Sequence, residues 1–314
     1  MRPRDFGRGQ KFDELLRCFS CDRHRLPGVQ SKANRVAFVE QIVESMRRIE
    51  FIKAIAKRGI SDLRADPSSD LFDPIKAAIL HKRRAHIDEA FWLVFLSVHF
   101  GKHKRAGWRL VRDVYGSLGA DVPWDWARTS SNPRAFRQWL AKSETILKGA
   151  DGIARHFGNH RKYQSLDAGS PSGTGAAIES YVKWVRPPRT HEIFIEESQK
   201  ETGENPRKLF DYLYRSMSEV MSFGRMAKFD YLTMIGKLEL APIEPGSTYL
   251  EGSTGPLAGA RLLFSGNKAA HLSRQDLDSR SVELGDALGL GMQAMEDALC
   301  NWQKSPAKFV AFRG

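Results

Sequence analysis

Cysteine is scarce in this chain of 314 residues, which contains only Cys18, Cys21 and Cys300. Three thiols cannot make a fully paired disulfide framework, so the count excludes a disulfide-stabilised fold and indicates a reducing compartment. Cys18 and Cys21 have the C-x-x-C spacing found in zinc sites. No second such pair supplies the four ligands that a structural zinc ion needs, so we predict ordinary unpaired thiols.

Long apolar runs are missing as well. The most apolar stretch, residues 91–98, is far too short to span a bilayer. The charged N-terminus is not followed by a secretory hydrophobic core. These absences predict a cytoplasmic protein with no membrane partner.

The sequence also lacks strand signals: it has no extended alternation of apolar and polar residues and no Asn-Gly hairpin. Apolar residues instead recur at three- and four-residue steps from Val36 onward, and Asp73-Pro74 has the form of a helix start. The sequence therefore predicts a mainly α-helical fold. We expect a loose N-terminal arm over residues 1–35, a helical region over 36–314, and a junction between two lobes in the Gly- and Ser-rich stretch 168–176.

Acidic residues are in deficit, because 37 Asp and Glu stand against 49 Lys and Arg, for a formal net charge of +12. A surplus of this size favours a nucleic acid or another phosphorylated partner, since cations near phosphates release bound counterions. A basic protein without such a partner has the same composition. The net charge therefore favours an anionic partner but does not by itself identify one.

A short repeat is the most informative feature that the sequence does contain. Residues 99–105 and 156–162 both read H-F-G-x-H followed by two basic residues. Glycine after a helical stretch is typical of a helix C-terminus, because only glycine enters the left-handed conformation without a Cβ penalty. Each copy predicts a helix end that presents histidine and cations to solvent, and two copies predict two contacts with one polyanion.

We name residues 99–105 the first corner and residues 156–162 the second corner, and we assign their side chains by chemistry. The candidates for binding a phosphorylated substrate are His99, His103 and His160, and those for binding a nucleic-acid backbone are Lys102, Lys104, Arg105 and Arg161. Two alternatives stay open. Four imidazoles, with His156 as the fourth, could bind zinc or iron, or the corners could be plain solvated turns.

A glycine-rich segment, residues 250–263, carries Gly252, Gly255 and Gly259 into a predicted helix start. Exposed backbone amides and the positive end of a helix dipole predict a phosphate contact here, with Arg261 as a substrate-binding cation. The segment resembles the helix-hairpin-helix element of DNA glycosylases. Its Gly252–Gly255 spacing is one residue longer, and Glu251 stands where proline is usual. A tight turn between helices is the alternative explanation.

Two carboxylates are candidate catalytic proton acceptors. Asp230 lies in a stretch that interleaves aromatic and basic residues, a composition suited to stacking a base while holding phosphates. Glu296 lies at the edge of an apolar helical seam. Arg225 and Lys237 flank Asp230 and are candidate substrate-binding cations. Core aromatics with solvated charges would produce the same pattern.

Residues 88–103, 107–109, 157–160, 255–264 and 296–304 together resemble one family, the third clade of the alpha-glutamyl/putrescinyl thymine pyrophosphorylases. The resemblance spans roughly residues 87–309. It implies a helical, DNA-glycosylase-like architecture with a helix-hairpin-helix-type element, and double-stranded DNA carrying a modified thymine as the partner. It also implies phage-type DNA hypermodification, in which an amine or amino acid replaces pyrophosphate on an activated 5-hydroxymethyluracil. The amine is a co-substrate, and no cofactor or metal is expected.

Two other classes of function fit the same residues. One is a non-transferase helix-hairpin-helix DNA-binding or glycosylase-type protein, and the other is a helical protein that binds RNA or another partner without chemistry. Steep salt dependence of duplex binding would separate DNA-binding proteins from the third class. Release of pyrophosphate rather than of a free base would separate the transferase from the glycosylase.

Overall fold

A computed structural model describes residues 2–311. Fourteen α-helices and no β-strand occur in that range, which confirms the predicted mainly α-helical fold. The only ladder pairing among the described residues is an isolated antiparallel bridge between His103 and Gly107. In the same part of the chain, no helix is both long enough and apolar enough to cross a membrane.

The chain forms two compact units, one continuous and one discontinuous. Unit 1 combines Met1–Ile55 with Glu244–Gly314, and unit 2 is Ala56–Ile243. This division corrects the expected junction at residues 168–176, which lie inside unit 2. The polar residues there build turns rather than a linker, since the Asp167 carboxylate accepts hydrogen bonds from the amides of Gly169 and Ser170 before α8 begins at Thr174.

Unit 1 is a helical cluster around one hydrophobic core. Its helices are α1 (Phe6–Asp22), α2 (Lys32–Ile55), α12 (Gly255–Ser265), α13 (Arg274–Leu288) and α14 (Met292–Trp302). In the core, the rings of Phe38 and Trp302 lie 4.8 Å apart between α2 and α14. The core therefore joins helices from the two ends of the chain.

The N-terminal segment is part of this core, which corrects the expectation of a loose arm over residues 1–35. Phe12, Leu16 and Phe19 are buried on one face of α1. Their spacing of four and three residues is helical, but the stripe is short and the residues before it are polar or glycine, which conceals it in the sequence. The segment folds because this face is covered by the rest of unit 1.

Unit 2 contains nine of the helices, centred on α4. They are α3 (Pro74–Arg83), α4 (Ile87–Phe100), α5 (Arg109–Tyr115), α6 (Trp126–Ser131), α7 (Pro133–Thr145), α8 (Thr174–Val185), α9 (His191–Thr202), α10 (Pro206–Ser216) and α11 (Arg225–Lys237). The predicted start of α3 is confirmed, because the Asp73 side chain accepts hydrogen bonds from the amides of Ile75 and Lys76. Helix α4 is buried from Ala90 to Phe100, as its uniformly apolar sequence indicates.

A buried chain of hydrogen bonds joins four helices of unit 2. Asp88 on α4 lies 2.6 Å from His191 Nδ1 on α9, and His191 Nε2 lies 2.8 Å from the Tyr181 hydroxyl on α8. The Tyr181 hydroxyl in turn lies 2.8 Å from that of Tyr231 on α11. If the His191 Nδ1–H donates to the Asp88 carboxylate, the Tyr181 hydroxyl can donate to His191 Nε2 and the Tyr231 hydroxyl can donate to that of Tyr181. The chain thereby satisfies three buried polar side chains and fixes α11 against α4.

Candidate functional site

The two corners meet in space. The amide of Gly158 donates to the carbonyl of Phe100 at 2.8 Å, and the rings of His103 and His156 lie 4.9 Å apart. A Cβ atom on Gly158 would lie 2.9 Å from the Cα atom of Gly101. The repeated glycines therefore permit the two backbones to pack directly on each other.

The first corner ends α4 and then closes a tight turn. Gly101 follows Phe100 at φ +69°, which confirms the predicted glycine-ended helix. The amide of His103 donates to the Gly107 carbonyl at 3.0 Å, and the amide of Gly107 donates back at 2.9 Å. The His103 Nδ1 atom accepts hydrogen bonds from the amides of Arg105 and Ala106. Its ring is therefore oriented by the backbone of its own turn.

The second corner has no helix before it, which differs from the prediction. Residues 153–158 are irregular, and Gly158 has φ −61°, so its backbone needs no left-handed conformation. The corner is fixed by Arg161, whose Nε donates to the Val98 carbonyl at 2.7 Å. Arg161 Nη2 also pairs with Asp230 at 2.8 Å. This arginine ties the corner to α4 and α11.

An open cleft of about 1070 Å³ lies where the corners meet. Residues from both corners line it, together with residues from α5 and from the π-helical turn Ile146–Ala150. The charged and imidazole side chains of the lining are His103, Arg105, Arg109, Lys148, Arg155, His156 and Lys162. No Asp or Glu lines it among the described residues. The cleft is therefore suited to a polyanion.

Only some of these cations are available to a ligand. The Arg155 guanidinium is buried and is occupied by Asp113 and Asp151, and Lys148 pairs with Glu144. Arg105, Arg109 and Lys162 form no ion pair within the described part of the chain, and the first and last of these are exposed. The available positive charge of the cleft thus comes mainly from the ends of the two corners and the start of α5.

His99 does not reach the cleft as a substrate ligand. Its side chain is 1% exposed, and its Nε2 donates to the Thr174 hydroxyl at 2.9 Å, because that hydroxyl itself donates to the Ser165 carbonyl. Burial, reinforced by the charge of Arg161, lowers the pKa of His99 to about 3, so the ring is neutral. His99 supports Ser165, which lines the cleft. The correction arises because α4 is buried along its whole last turn.

Arg161 likewise differs from its predicted role as a nucleic-acid contact. It is buried, and its hydrogen bonds go to backbone carbonyls and Asp230. Lys102 and Lys104 are exposed, as a backbone contact requires, and the Lys102 Nζ lies 5.8 Å from the centre of the Trp108 ring. His160 is exposed on the second corner. These three placements are compatible with the predicted contacts, which stay predictions.

Asp230 lies beside the second corner but does not line the cleft. Its side chain is 48% exposed and is positioned by the ion pair with Arg161. Arg225 begins α11 with its guanidinium 5.0 Å from the Phe229 ring centre, and Lys237 ends the same helix. The assignment of these three residues to substrate binding or catalysis stays a prediction.

The glycine-rich segment belongs to unit 1, where two of its glycines have a packing role. A Cβ atom on Gly259 would lie 2.3 Å from the Leu299 carbonyl oxygen, and one on Gly255 would lie 2.8 Å from the Cys300 Sγ. These glycines let α12 pack closely on α14, which is a contact between helices rather than the tight turn of the alternative explanation. Gly252 is exposed at φ +69° in the turn before α12. Residues 238–254 contain no helix, so α11 and α12 are not joined by a short hairpin.

Two further predicted site residues also lie in unit 1. Arg261 is on α12, with its Nε buried and without a hydrogen-bond partner among the described residues. Glu296 is half-buried on α14. Their assignments to substrate binding and catalysis remain predictions.

Sequence reasoning missed several residues of potential importance. Arg109 and Lys162 line the cleft, and Tyr163 beside it is 89% exposed, with the Lys162 Nζ 4.9 Å from its ring centre. An aromatic residue directly after the second corner was a signal available in the sequence. His191 was not identifiable, because its partners Asp88 and Tyr181 are remote or unremarkable in sequence.

The structure contains no cluster that matches the alternative of a four-imidazole metal site among the described residues. Among residues 2–311, no group of three or more His, Cys, Asp or Glu side chains is arranged to hold a metal ion. His99 is directed to Thr174, whereas His103 and His156 pair at the cleft. The four histidines of the repeat therefore do not converge on one site.

Comparison with known families supports the resemblance seen in the segments of the sequence. Residues 33–314 match the family described as alpha-glutamyl/putrescinyl thymine pyrophosphorylase clade 3. No curated protein and no solved structure matches the chain significantly. The matched range includes all of unit 2 and most of unit 1. The chain therefore belongs to clade 3 of the alpha-glutamyl/putrescinyl thymine pyrophosphorylase family, whose name implies a role on modified thymine in DNA.

Proposed function

We propose that this protein replaces the diphosphate of an activated 5-hydroxymethyluracil in double-stranded DNA with an amine or amino acid, and that the cleft between the corners holds the phosphorylated part of that substrate. The observation that carries this proposal is the cleft itself, which is lined by cations and imidazoles from both corners and by no carboxylate among the described residues. The family membership supplies the substrate class.

Charge is the first argument for this assignment. Arg105, Arg109 and Lys162 form no ion pair in the described structure, so an incoming anion need not displace one. A phosphorylated ligand would gain charge-assisted hydrogen bonds from these side chains. Such groups also stabilise the negative charge that develops on a departing diphosphate. The cleft is thus suited both to holding and to releasing this leaving group.

The reaction needs three events that balance. The nitrogen of the amine forms a bond to the exocyclic methylene carbon of the base, the bond from that carbon to the diphosphate oxygen breaks, and the ammonium product loses a proton. Asp230 is our candidate for the proton acceptor, because Arg161 positions its half-exposed carboxylate beside the second corner. Glu296 is the candidate in unit 1. Replacement of Asp230 by Asn with full transfer activity would remove it from the mechanism.

The base itself must leave the helix to react. An enzyme that modifies a base extrudes it from the stack and holds it against aromatic or apolar side chains. Tyr163 offers an exposed aromatic face next to Lys162, which lines the cleft. We assign Tyr163 to stacking on a base while the cleft holds the phosphates. Stacking of this kind contributes about 1–3 kcal/mol per base.

The test is an amine-dependent transfer assay on the whole protein. A duplex oligonucleotide carrying one 5-hydroxymethyluracil diphosphate is incubated with glutamate, with putrescine or with neither, and inorganic diphosphate and the mass of the modified base are measured. We expect release of diphosphate that depends on the amine, and a base mass that includes the amine. Release of a free base would instead indicate a glycosylase, and binding without a product would indicate a DNA-binding protein.

Matched variants connect the reaction to the cleft. The double variant Arg105→Ala/Lys162→Ala should bind the duplex with a weaker salt dependence, because each lost phosphate contact reduces the slope of log K against log salt by about 1. Lys200→Ala is the control, since this exposed lysine of α9 is in the same unit but does not line the cleft. An unchanged transfer rate and slope in the double variant would place the reaction elsewhere.

A further inference from the structure

Two imidazoles face each other at the cleft but differ in what their nitrogens contact. The ring centres of His103 and His156 lie 4.9 Å apart at a tilt of 51°. His103 Nδ1 accepts hydrogen bonds from the amides of Ala106 at 3.1 Å and Arg105 at 3.4 Å. His156 is exposed and makes no hydrogen bond to any described residue. The two rings therefore have different chemistry in the same place.

The turn of the first corner fixes the tautomer of His103. A nitrogen that accepts from backbone amides must present its lone pair to them, so the ring proton is on Nε2. A proton on Nδ1 would point at the amide hydrogens of Arg105 and Ala106, which is repulsive. Desolvation, then the nearby His156 and Arg105, also hold the pKa of His103 below its ordinary value. His103 is thus a neutral imidazole with one N–H left to donate.

His156 has no such constraint. Its ring nitrogens are open to a ligand or to a proton, and imidazole is the side chain whose charge ordinarily changes between pH 5 and 8. The charged side chains that line the cleft with it are Arg105, Arg109, Lys148, Arg155 and Lys162, of which Arg155 is paired with Asp113 and Asp151, and Lys148 with Glu144. An anion bound beside an imidazole favours the cationic form of the ring, because the charges are opposite.

We propose that His103 and His156 form the subsite that holds the diphosphate group, with His103 donating a hydrogen bond from Nε2 and His156 taking up one proton from solvent as the anion binds. This inference rests on the proposed function, whose leaving group is that diphosphate. It names which side chains recognise the group and makes its binding dependent on pH. Affinity for diphosphate falls as the pH rises, by up to about tenfold per pH unit while one proton is linked.

The binding test uses inorganic diphosphate and the full-length protein. Titration calorimetry in buffers of equal pH and different ionisation enthalpy gives the number of protons taken up with each diphosphate. We expect His156→Asn to bind diphosphate more weakly than the native protein. Each diphosphate bound by this variant should be accompanied by as much as one proton fewer. His271→Asn is the control for loss of a histidine, since this exposed residue is in unit 1 and does not line the cleft. Equal proton uptake by the native protein and His156→Asn overturns the titrating role.

His103→Asn tests the donor role without removing the turn. The Asn side-chain oxygen can still accept from the amides two and three residues ahead, as short polar side chains do in turns, but the Nε2 donor is lost. We expect diphosphate to bind about ten- to a hundredfold more weakly, the usual effect of losing a hydrogen bond to a charged group. Native affinity in a folded His103→Asn protein overturns the donor role.

A spectroscopic measurement checks the tautomer directly. Long-range proton–nitrogen correlation spectra of histidine-labelled protein should show His103 with a protonated Nε2 and an unprotonated Nδ1, and diphosphate should shift the His156 nitrogens toward the imidazolium values. An Nδ1-protonated His103 contradicts the geometry. Diphosphate bound without proton linkage, together with amine transfer, would leave the proposed function in place and remove this inference. Proton-linked binding of diphosphate without amine transfer would leave the diphosphate subsite in place and remove the proposed function.

Discussion

The first corner ends a helix with Gly101 at φ +69°, whereas the second follows irregular chain and holds Gly158 at φ −61°. The two corners share four of their first five residues, yet their glycines are required for different reasons. Gly101 is required by its positive φ, whereas Gly158 is required because the backbone of Gly101 lies too close for a Cβ atom. The side chains differ in the same way. His99 and Arg161 are buried supports, while their counterparts in the repeat, His156 and Lys104, are exposed. A repeated motif can thus join two segments without giving them the same structure.

The largest effects should come from the glycines. In Gly158→Ala the new Cβ would lie 2.8–2.9 Å from backbone atoms of Gly101 and Lys102, so the corners must separate. Crowding of this kind costs about 1–3 kcal/mol of unfolding free energy. Denaturant unfolding should show this loss, and diphosphate binding should weaken with it. Native stability in Gly158→Ala would mean that the corners are not in direct contact.

Gly101→Ala and Gly203→Ala separate strain from crowding. Gly203 ends α9 at φ +70° and ψ −172°, close to the conformation of Gly101, but a Cβ there would meet nothing within 4 Å. Gly203→Ala should cost the strain alone, about 1–3 kcal/mol. Gly101→Ala should cost more, because its Cβ would also press on Arg161 and Gly158 at 3.2 Å. Equal losses in the two variants would show that crowding contributes little at the first corner.

Arg161 and Lys104 occupy equivalent positions in the repeat and should respond differently. Arg161→Met leaves the Val98 carbonyl and Asp230 without their buried partner, which should cost about 1–3 kcal/mol of stability. Lys104→Met removes only an exposed charge and should change stability by less than about 0.5 kcal/mol. Urea unfolding of the two variants measures the difference. A small effect of Arg161→Met would contradict its supporting role.

His99 should make the free energy of unfolding depend on pH in the acid range. The pKa of about 3 in the folded protein is below the ordinary value of 6.5, so the unfolded chain binds the proton more readily. Stability from the neutral ring is fully present above pH 6.5 and is lost as the pH falls toward 3. His99→Gln keeps a donor for Thr174 but cannot titrate, so its unfolding free energy should fall less steeply between pH 6.5 and the acid limit of folding. Parallel profiles would contradict a neutral buried His99.

The smallest effects on stability should come from the last residue of each corner, where the two copies become alike. Arg105 and Lys162 are both exposed and line the cleft. Arg105→Ala and Lys162→Ala should each change stability by less than about 0.5 kcal/mol. Each should also reduce the salt slope of duplex binding by about 1. A slope that changes in one variant only would show that the corners do not share the polyanion.

Local patterns predicted the helices better than they predicted the site. The Asp73-Pro74 start of α3, the buried α4 and the glycine after Phe100 were readable because each depends on neighbours in sequence. The meeting of the corners depends on contacts between residues 57 positions apart, which periodicity cannot show. The burial of His99 could have been anticipated, since it continues the apolar face of α4. The burial of Arg161 could not, because its partners Val98 and Asp230 are distant in sequence.

Unit 1 has a consequence for how the chain is made. Helices α1 and α2 are synthesised before unit 2, but their hydrophobic faces pack with Leu263, Leu299 and Trp302 in a core whose other half is synthesised after unit 2. At usual rates of translation, the apolar residues of these helices wait for roughly ten to fifty seconds before that core can close. Unit 2 is continuous and can fold during the interval. Nascent chains stalled after residue 243 should therefore expose the N-terminal helices to chaperones and proteases, whereas the completed chain should protect them.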